Sequence, residues 1–181
     1  MDTRPFRMEC FSDFTIVVDV DMPVINQGKR KVFEGVLNNP KPYCAVETVD
    51  LNFLDEETLS TVLSNTRFDS SAPTIFIAEG LIMYLGAIGK LKLIKDVSTV
   101  AAPGSVFVLQ FMDASESSAA KDNPTAVANA LSVAEATKEL NENGWEQLKF
   151  SKYGDKNLNF GRYPDKFKPS ASFSFCVCRK Q

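Results

Sequence analysis

The 181-residue chain contains no histidine. That single absence excludes serine–histidine triads, cysteine–histidine pairs, histidine metal sites and the commonest general base. Cysteine is sparse: Cys10, Cys44, Cys176 and Cys178 include no CxxC pair, which points to free thiols in a reducing compartment rather than a zinc site or a disulfide framework. No metal centre is expected. No apolar run approaches the roughly 20 residues of a membrane span, and Asp2 and Glu9 interrupt any secretory signal. Basic excess is also missing. A net charge of −3 and a pI near 5.1 argue against nucleic acid or an anionic membrane as partner. Finally there is no G-x-G-x-x-G, which disfavours a nicotinamide-binding domain.

What is present is ordinary for a globular protein: 44% hydrophobic and 24% charged residues in a length suited to one domain, residues 1–181. Phe14 to Val20 (FTIVVDV) is a β-branched run suited to a strand buried on both faces. Pro23 suits the first turn of a helix in which Ile25, Val32 and Val36 recur, with Asn38-Asn39-Pro40 as its stop. Tyr43 to Val49 reads as a second strand, Asp55 to Leu63 as a helix with an acidic start, and Pro73 to Ala78 as a third strand. The clearest helix follows, with Ile88, Leu91, Ile94, Val97 and Ala101 on one face and Pro103-Gly104 ending it. Val106 to Phe111 is the fourth strand, and the polar stretch from Asp113 to Asp122 reads as a loop. Asn123-Pro124 would open a helix carrying Val127, Ala130, Leu131 and Ala134, closed by Asn143-Gly144. Trp145 to Tyr153 and Phe173 to Cys178 are the last strands, joined by a long connection.

Strands alternating with helices predict an α/β fold with a mostly parallel, helix-covered sheet. The last two strands, with no helix between them, should pair antiparallel and make that sheet mixed at one edge. In such sheets ligands bind beyond the carboxyl ends of the strands. Asp19 and Asp21 follow the first strand, Asp50 the second and Glu79 the third. A carboxylate accepts two hydrogen bonds from a cis-diol, so acids in these places suit a ribose-containing cofactor.

IAEGLIMYLGAIGKLKLIKDVSTVAAPGSVFVLQF resembles the strand–helix–strand core of the leucine carboxyl methyltransferase-like proteins. VDVDMPVINQGKRKVF is similar to their E-V-D-x-P-x-V…K segment, and ETVDLN to their D-L segment, in the same order along the chain. The resemblance implies a Rossmann-like class I methyltransferase sheet with S-adenosylmethionine as cofactor. It implies that Asp21 binds the ribose hydroxyls, that Asp50 and Leu51 flank the adenine, and that Glu79 lies near the methionine portion. Met1-Asp2-Thr3-Arg4 resembles the tail of the family's G-x-G-x-D-T-R motif, which would set Asp2 and Arg4 at the cofactor, with Arg4 facing its carboxylate. On that reading the domain is incomplete at its N-terminus, lacks the first strand of the sheet, and is a weak methyltransferase alone. The location expected is cytoplasmic, an organellar address upstream staying open.

Methyl transfer from a sulfonium demands in-line alignment in a site closed to water. A carboxylate nucleophile needs no base, which suits a chain without histidine. The expected function is therefore O-methylation of a carboxylate or hydroxyl on a small molecule or a peptide C-terminus, no catalytic residue being identified. The alternative from another class is an inactive fragment that binds a partner, or nothing.

Overall fold

The computed structural model describes residues 2–14, 16–35, 40–113, 129–158, 160 and 173–181. They gather into two compact units, residues 1–69 and 70–181.

The first unit is built on one parallel crossover. Strand β1 (Ile16–Asp21) leads through helix α2 (Pro23–Gly35) to strand β2 (Ala45–Asp50). The two strands lie parallel in register from Ile16 opposite Ala45 to Asp21 opposite Asp50. β1 is half-buried along its length, where the β-branched run predicts burial on both faces. Two causes are visible: β2 is its one strand partner among the described residues, and Asp19 and Asp21 occupy one of its faces. Pro23 opens α2 as expected, because its missing N–H lies where a helix has no acceptor for it. The face of α2 that is buried carries Asn26 and Lys29, whereas Ile25 is exposed. Val36, Asn38 and Asn39 fall outside the described residues.

Ahead of β1 lie the single-turn helix α1 (Arg4–Arg7) and a 3-10 turn over Glu9–Asp13. Helix α3 (Leu59–Leu63) closes the unit and is shorter than the acidic start predicts. The Thr58 hydroxyl accepts the Thr61 N–H at 3.2 Å and so fixes the cap after the acids. Asp55 instead belongs to a turn, its N–H donating to the Asn52 carbonyl.

The second unit holds a four-stranded sheet in the order β3 (Ile75–Ala78), β4 (Val106–Met112), β6 (Phe173–Lys180), β5 (Trp145–Lys152). β3 and β4 are parallel, and β6 runs antiparallel to both β4 and β5. The antiparallel pairing of the last two strands is as expected, with β6 inserted between β4 and β5. The alternation along β4 buries Phe107, Leu109 and Phe111, and Cys176 and Cys178 lie opposite Leu109 and Phe107 on β6. Trp145 packs on Phe107 with ring centroids 5.4 Å apart, and its Nε1–H donates to the Ser98 hydroxyl at 2.7 Å.

Helix α4 (Gly86–Val100) supplies Leu93, Ile94, Val97 and Val100 to this core. Ile94 and Val97 are on the expected face, but Ile88 is 84% exposed, and the buried stripe instead includes Gly89 and Lys90. The helix gives way to a turn in which Gly104 takes φ +84° and donates to the Lys180 carbonyl at 2.9 Å. Helix α5 (Val133–Glu142) begins at a Ser132–Glu135 capping box and ends at Asn143-Gly144 as expected. Asn123, Pro124 and Val127, and all of the polar stretch after Asp113, lie outside the described residues. So does most of the connection from β5 to β6. No helix among the described residues is long and apolar enough to cross a membrane.

Candidate functional site

Side chains two apart on a strand share a face, so Asp19 and Asp21 project from the same side of β1. Parallel register then sets Asp50 beside Asp21 at the carboxyl ends of both strands. Three carboxyl groups would repel one another there without donors, and α2 provides them. Asn26 and Lys29, three residues apart, share one face of that helix and turn toward the strands. Lys29 Nζ stands 2.9 Å from both Asp19 oxygens and 3.0 Å from Asp21 Oδ2. Its side chain is only 9% exposed. Burial pulls its pKa down, but the hydrogen bonds and charges of Asp19 and Asp21 outweigh that and raise it above the ordinary 10.5.

Asp21 Oδ1 also accepts the Met22 N–H at 2.9 Å. The Asn26 amide nitrogen lies 3.0 Å from the Asp21 carbonyl, 2.9 Å from the Val49 carbonyl and 2.7 Å from Asp50 Oδ1. Leu51, itself buried, donates its N–H to the Asp21 carbonyl at 2.9 Å. The ends of β1 and β2 are thus tied together by backbone and side chain. Asp50 is exposed, and its Oδ2 has no protein partner among the described residues. An open hollow of about 370 Å³ borders it, lined by Thr48, Val49 and Asp50 on one side and Val62, Asn65 and Thr66 on the other. Carboxylate oxygens beside a hollow of this size, within the few hundred Å³ common for small-molecule sites, suit a ligand that presents hydroxyl or amino donors.

Of the residues singled out in the sequence, Asp21, Asp50 and Leu51 come together here. Glu79 belongs to the second unit, where it directly follows β3 at that strand's carboxyl end. The chain turns just beyond it: Gly80 has φ +67°, and its N–H donates to Gln110 Oε1 at 2.7 Å. In the neighbouring 3-10 turn Ile82 is fully buried and Leu85 nearly so, whereas Tyr84 is 73% exposed.

Asp2 and Arg4 are not brought to Asp21 and Asp50. The Pro5 carbonyl accepts the Tyr43 N–H at 2.8 Å, just ahead of β2, and Phe6 stacks on Phe33 of the last turn of α2 with centroids 4.5 Å apart. Both contacts hold α1 at the starting end of the strands. Asp2 pairs with Arg4 there at 2.8 Å. Burial would raise the Asp2 pKa, and the Arg4 hydrogen bonds and charge lower it below the ordinary carboxylate value.

Asn26 and Lys29 were not singled out by the hydropathy pattern, which follows apolar residues. Their signal is the D-x-D pair itself, since clustered carboxylates at a strand end call for donors on the helix that follows. Among the described residues no group of three or more acidic, cysteine or histidine side chains could hold a metal.

Comparison with known proteins adds a family to this geometry. The family model described as leucine carboxyl methyltransferase matches residues 1–98. A protein of Mycolicibacterium smegmatis, named as a candidate S-adenosyl-L-methionine-dependent methyltransferase, is 32% identical over 114 residues, covering 63% of this chain and 36% of that protein. One of Mycobacteroides abscessus with the same designation is 31% identical over 112 residues, covering 62% and 36%. The chain therefore spans little more than a third of the length of these curated relatives. Among solved structures, a DUF574 family protein from Streptomyces avermitilis matches with a TM-score of 0.63 at 18% identity, over 92% of this chain and 65% of that one. A SAM-dependent methyltransferase from Methanosarcina mazei matches with a TM-score of 0.58 at 14% identity, over 96% and 85%. At these identities the likeness is one of fold, a Rossmann-like α/β methyltransferase fold.

Proposed function

The chain belongs to the leucine carboxyl methyltransferase family, and from that premise we propose that it carries the adenosine-binding half of an S-adenosylmethionine-dependent O-methyltransferase site. The observation that carries this reading is the pairing of Asp21 with Asp50 at the carboxyl ends of adjacent parallel strands. The donor set fits the group. Asp21 has an oxygen lone pair to spare beyond Met22 and Lys29, and Asp50 Oδ2 is open, so both accept hydrogen bonds from ribose hydroxyls or the adenine amino group. Leu51 would give the base an apolar neighbour.

When bound, the cofactor supplies a methyl group on a sulfonium centre. The chain's own part is to fix the adenosine so that an acceptor oxygen meets that methyl in line. With no histidine present, an acceptor that is already ionised is favoured: a carboxylate on a small molecule or a peptide C-terminus, ahead of an acidic hydroxyl. The four free cysteines support a reducing, cytoplasmic setting.

Titration calorimetry of the 181-residue chain with S-adenosylmethionine tests the reading. Asp21→Ala removes a charged acceptor of the ribose and should weaken binding about ten- to a hundredfold. Affinity unchanged by that substitution would rule the assignment out.

A further inference from the structure

Asn26 sits in α2 with no exposed surface. Its side-chain amide has two N–H bonds and three oxygens around it, the shortest approach being 2.7 Å to Asp50 Oδ1 and the others 2.9 and 3.0 Å to the Val49 and Asp21 carbonyls. Its own Oδ1 has no partner among the described residues. A buried acceptor left unpaired destabilises the fold, so this asparagine is there for what its nitrogen does.

Asp50 shows the reverse condition. It is exposed at the end of a strand, where an aspartate would exchange between χ1 wells, and Asn26 is its side-chain partner among the described residues. We propose that Asn26 is a positioning residue for Asp50, holding Oδ1 so that a single rotamer presents Oδ2 as the acceptor for a ligand's hydroxyl or amino donor. The same amide also lies against the Asp21 and Val49 carbonyls, adding to the backbone pairing that already joins the two strand ends. The inference rests on the reading of Asp50 as a cofactor-facing carboxylate, and its test separates the two.

The first arm needs no ligand. In the full chain, the couplings between the Asp50 α and β protons should report one χ1 rotamer by NMR, and Asn26→Ala should average them. Because that substitution opens a buried site, the second variant is Asp50→Ala, made at an exposed side chain. There the Asn26 side-chain amide resonances should shift and exchange with water about tenfold faster. Averaged Asp50 couplings in the wild type, or Asn26 resonances unmoved in Asp50→Ala, overturn the proposal.

The second arm is calorimetry with S-adenosylhomocysteine. Asn26→Ala should weaken binding about tenfold, and the double variant should bind no more weakly than Asp50→Ala alone. A loss from Asn26→Ala that persists without Asp50 marks a merely structural role and overturns the proposal. A wild-type chain that binds no S-adenosylhomocysteine overturns the functional reading, and the clamp itself is then judged by the first arm.

Discussion

Lysine is rarely as buried as Lys29, and is so here because two carboxylates meet its ammonium. Removing one partner from a buried ion cluster leaves the others uncompensated, at a cost of about 3–5 kcal/mol when all are buried. Asp19 and Asp21 are 25% and 34% exposed, so water screens part of their repulsion. Lys29→Met is therefore expected to lose about 1–3 kcal/mol at neutral pH, read from urea unfolding. The pH dependence follows from the raised pKa. A lysine whose folded pKa exceeds its unfolded value stabilises fully below the unfolded value and loses that contribution as pH rises through the folded one. The gap between wild type and Lys29→Met should therefore hold from neutral pH up to the ordinary 10.5 and close above it. A gap that survives well into alkali would show that the charge is not what matters. At this scale the acids were legible in the sequence, since strand-end aspartates announce themselves. Their donors were not, because a polar residue on a helix is ordinarily read as its wet face.

Capping and packing decide what could be read of the helices. α5 begins where Ser132 Oγ accepts the Glu135 N–H at 3.2 Å and Glu135 Oε2 accepts the Ser132 N–H at 2.9 Å. Ser132→Ala should cost about 1 kcal/mol, and the pair Ser132→Ala with Glu135→Ala should cost less than the sum, since the two bonds form one box. The backbone and side-chain hydrogen bonds from Ser132 lower the Glu135 pKa below its ordinary 4.5. The box therefore contributes above that pH and is lost as pH falls through the folded value; a Ser132→Ala effect that stays equal from pH 7 down to a pH at which Glu135 is protonated would refute it. S-x-x-E marks this helix start, whereas the reading of one helix carrying Ala130 and Leu131 is corrected by the structure, in which both residues precede the cap. In α4 the stripe through Ile88 and Leu91 was misleading for a different reason. Lys90 buries its stem and donates to the Ala130 carbonyl, so the core face includes a lysine that no hydropathy pattern counts as core.

At the scale of the whole molecule, the order and direction of the strands were readable, and their division into sheets was not. Which strands pair is decided by contacts remote in sequence, and only the crossover β1–α2–β2 and the hairpin-like β5–β6 carry local signs of their partners. The two sheets differ in what protects them. β1 and β2 form a two-stranded parallel sheet whose strand residues are half-buried or exposed. β4 is paired on both sides and buries three consecutive inward side chains, Phe107, Leu109 and Phe111. Two strands alone are marginal in water, and local opening follows where buried apolar contacts are few. Hydrogen exchange of the full chain should therefore show the amides of Ile16–Asp21 and Ala45–Asp50 opening at least about tenfold more often than those of Val106–Met112 and the facing part of β6. S-adenosylmethionine should slow exchange at Asp50, Leu51 and Met22 first, because the proposed adenosine contacts act on the tied strand ends. Equal protection of both sheets without ligand would mean that the polar ties from Asn26 and Lys29 hold the first unit as firmly as an apolar core holds the second.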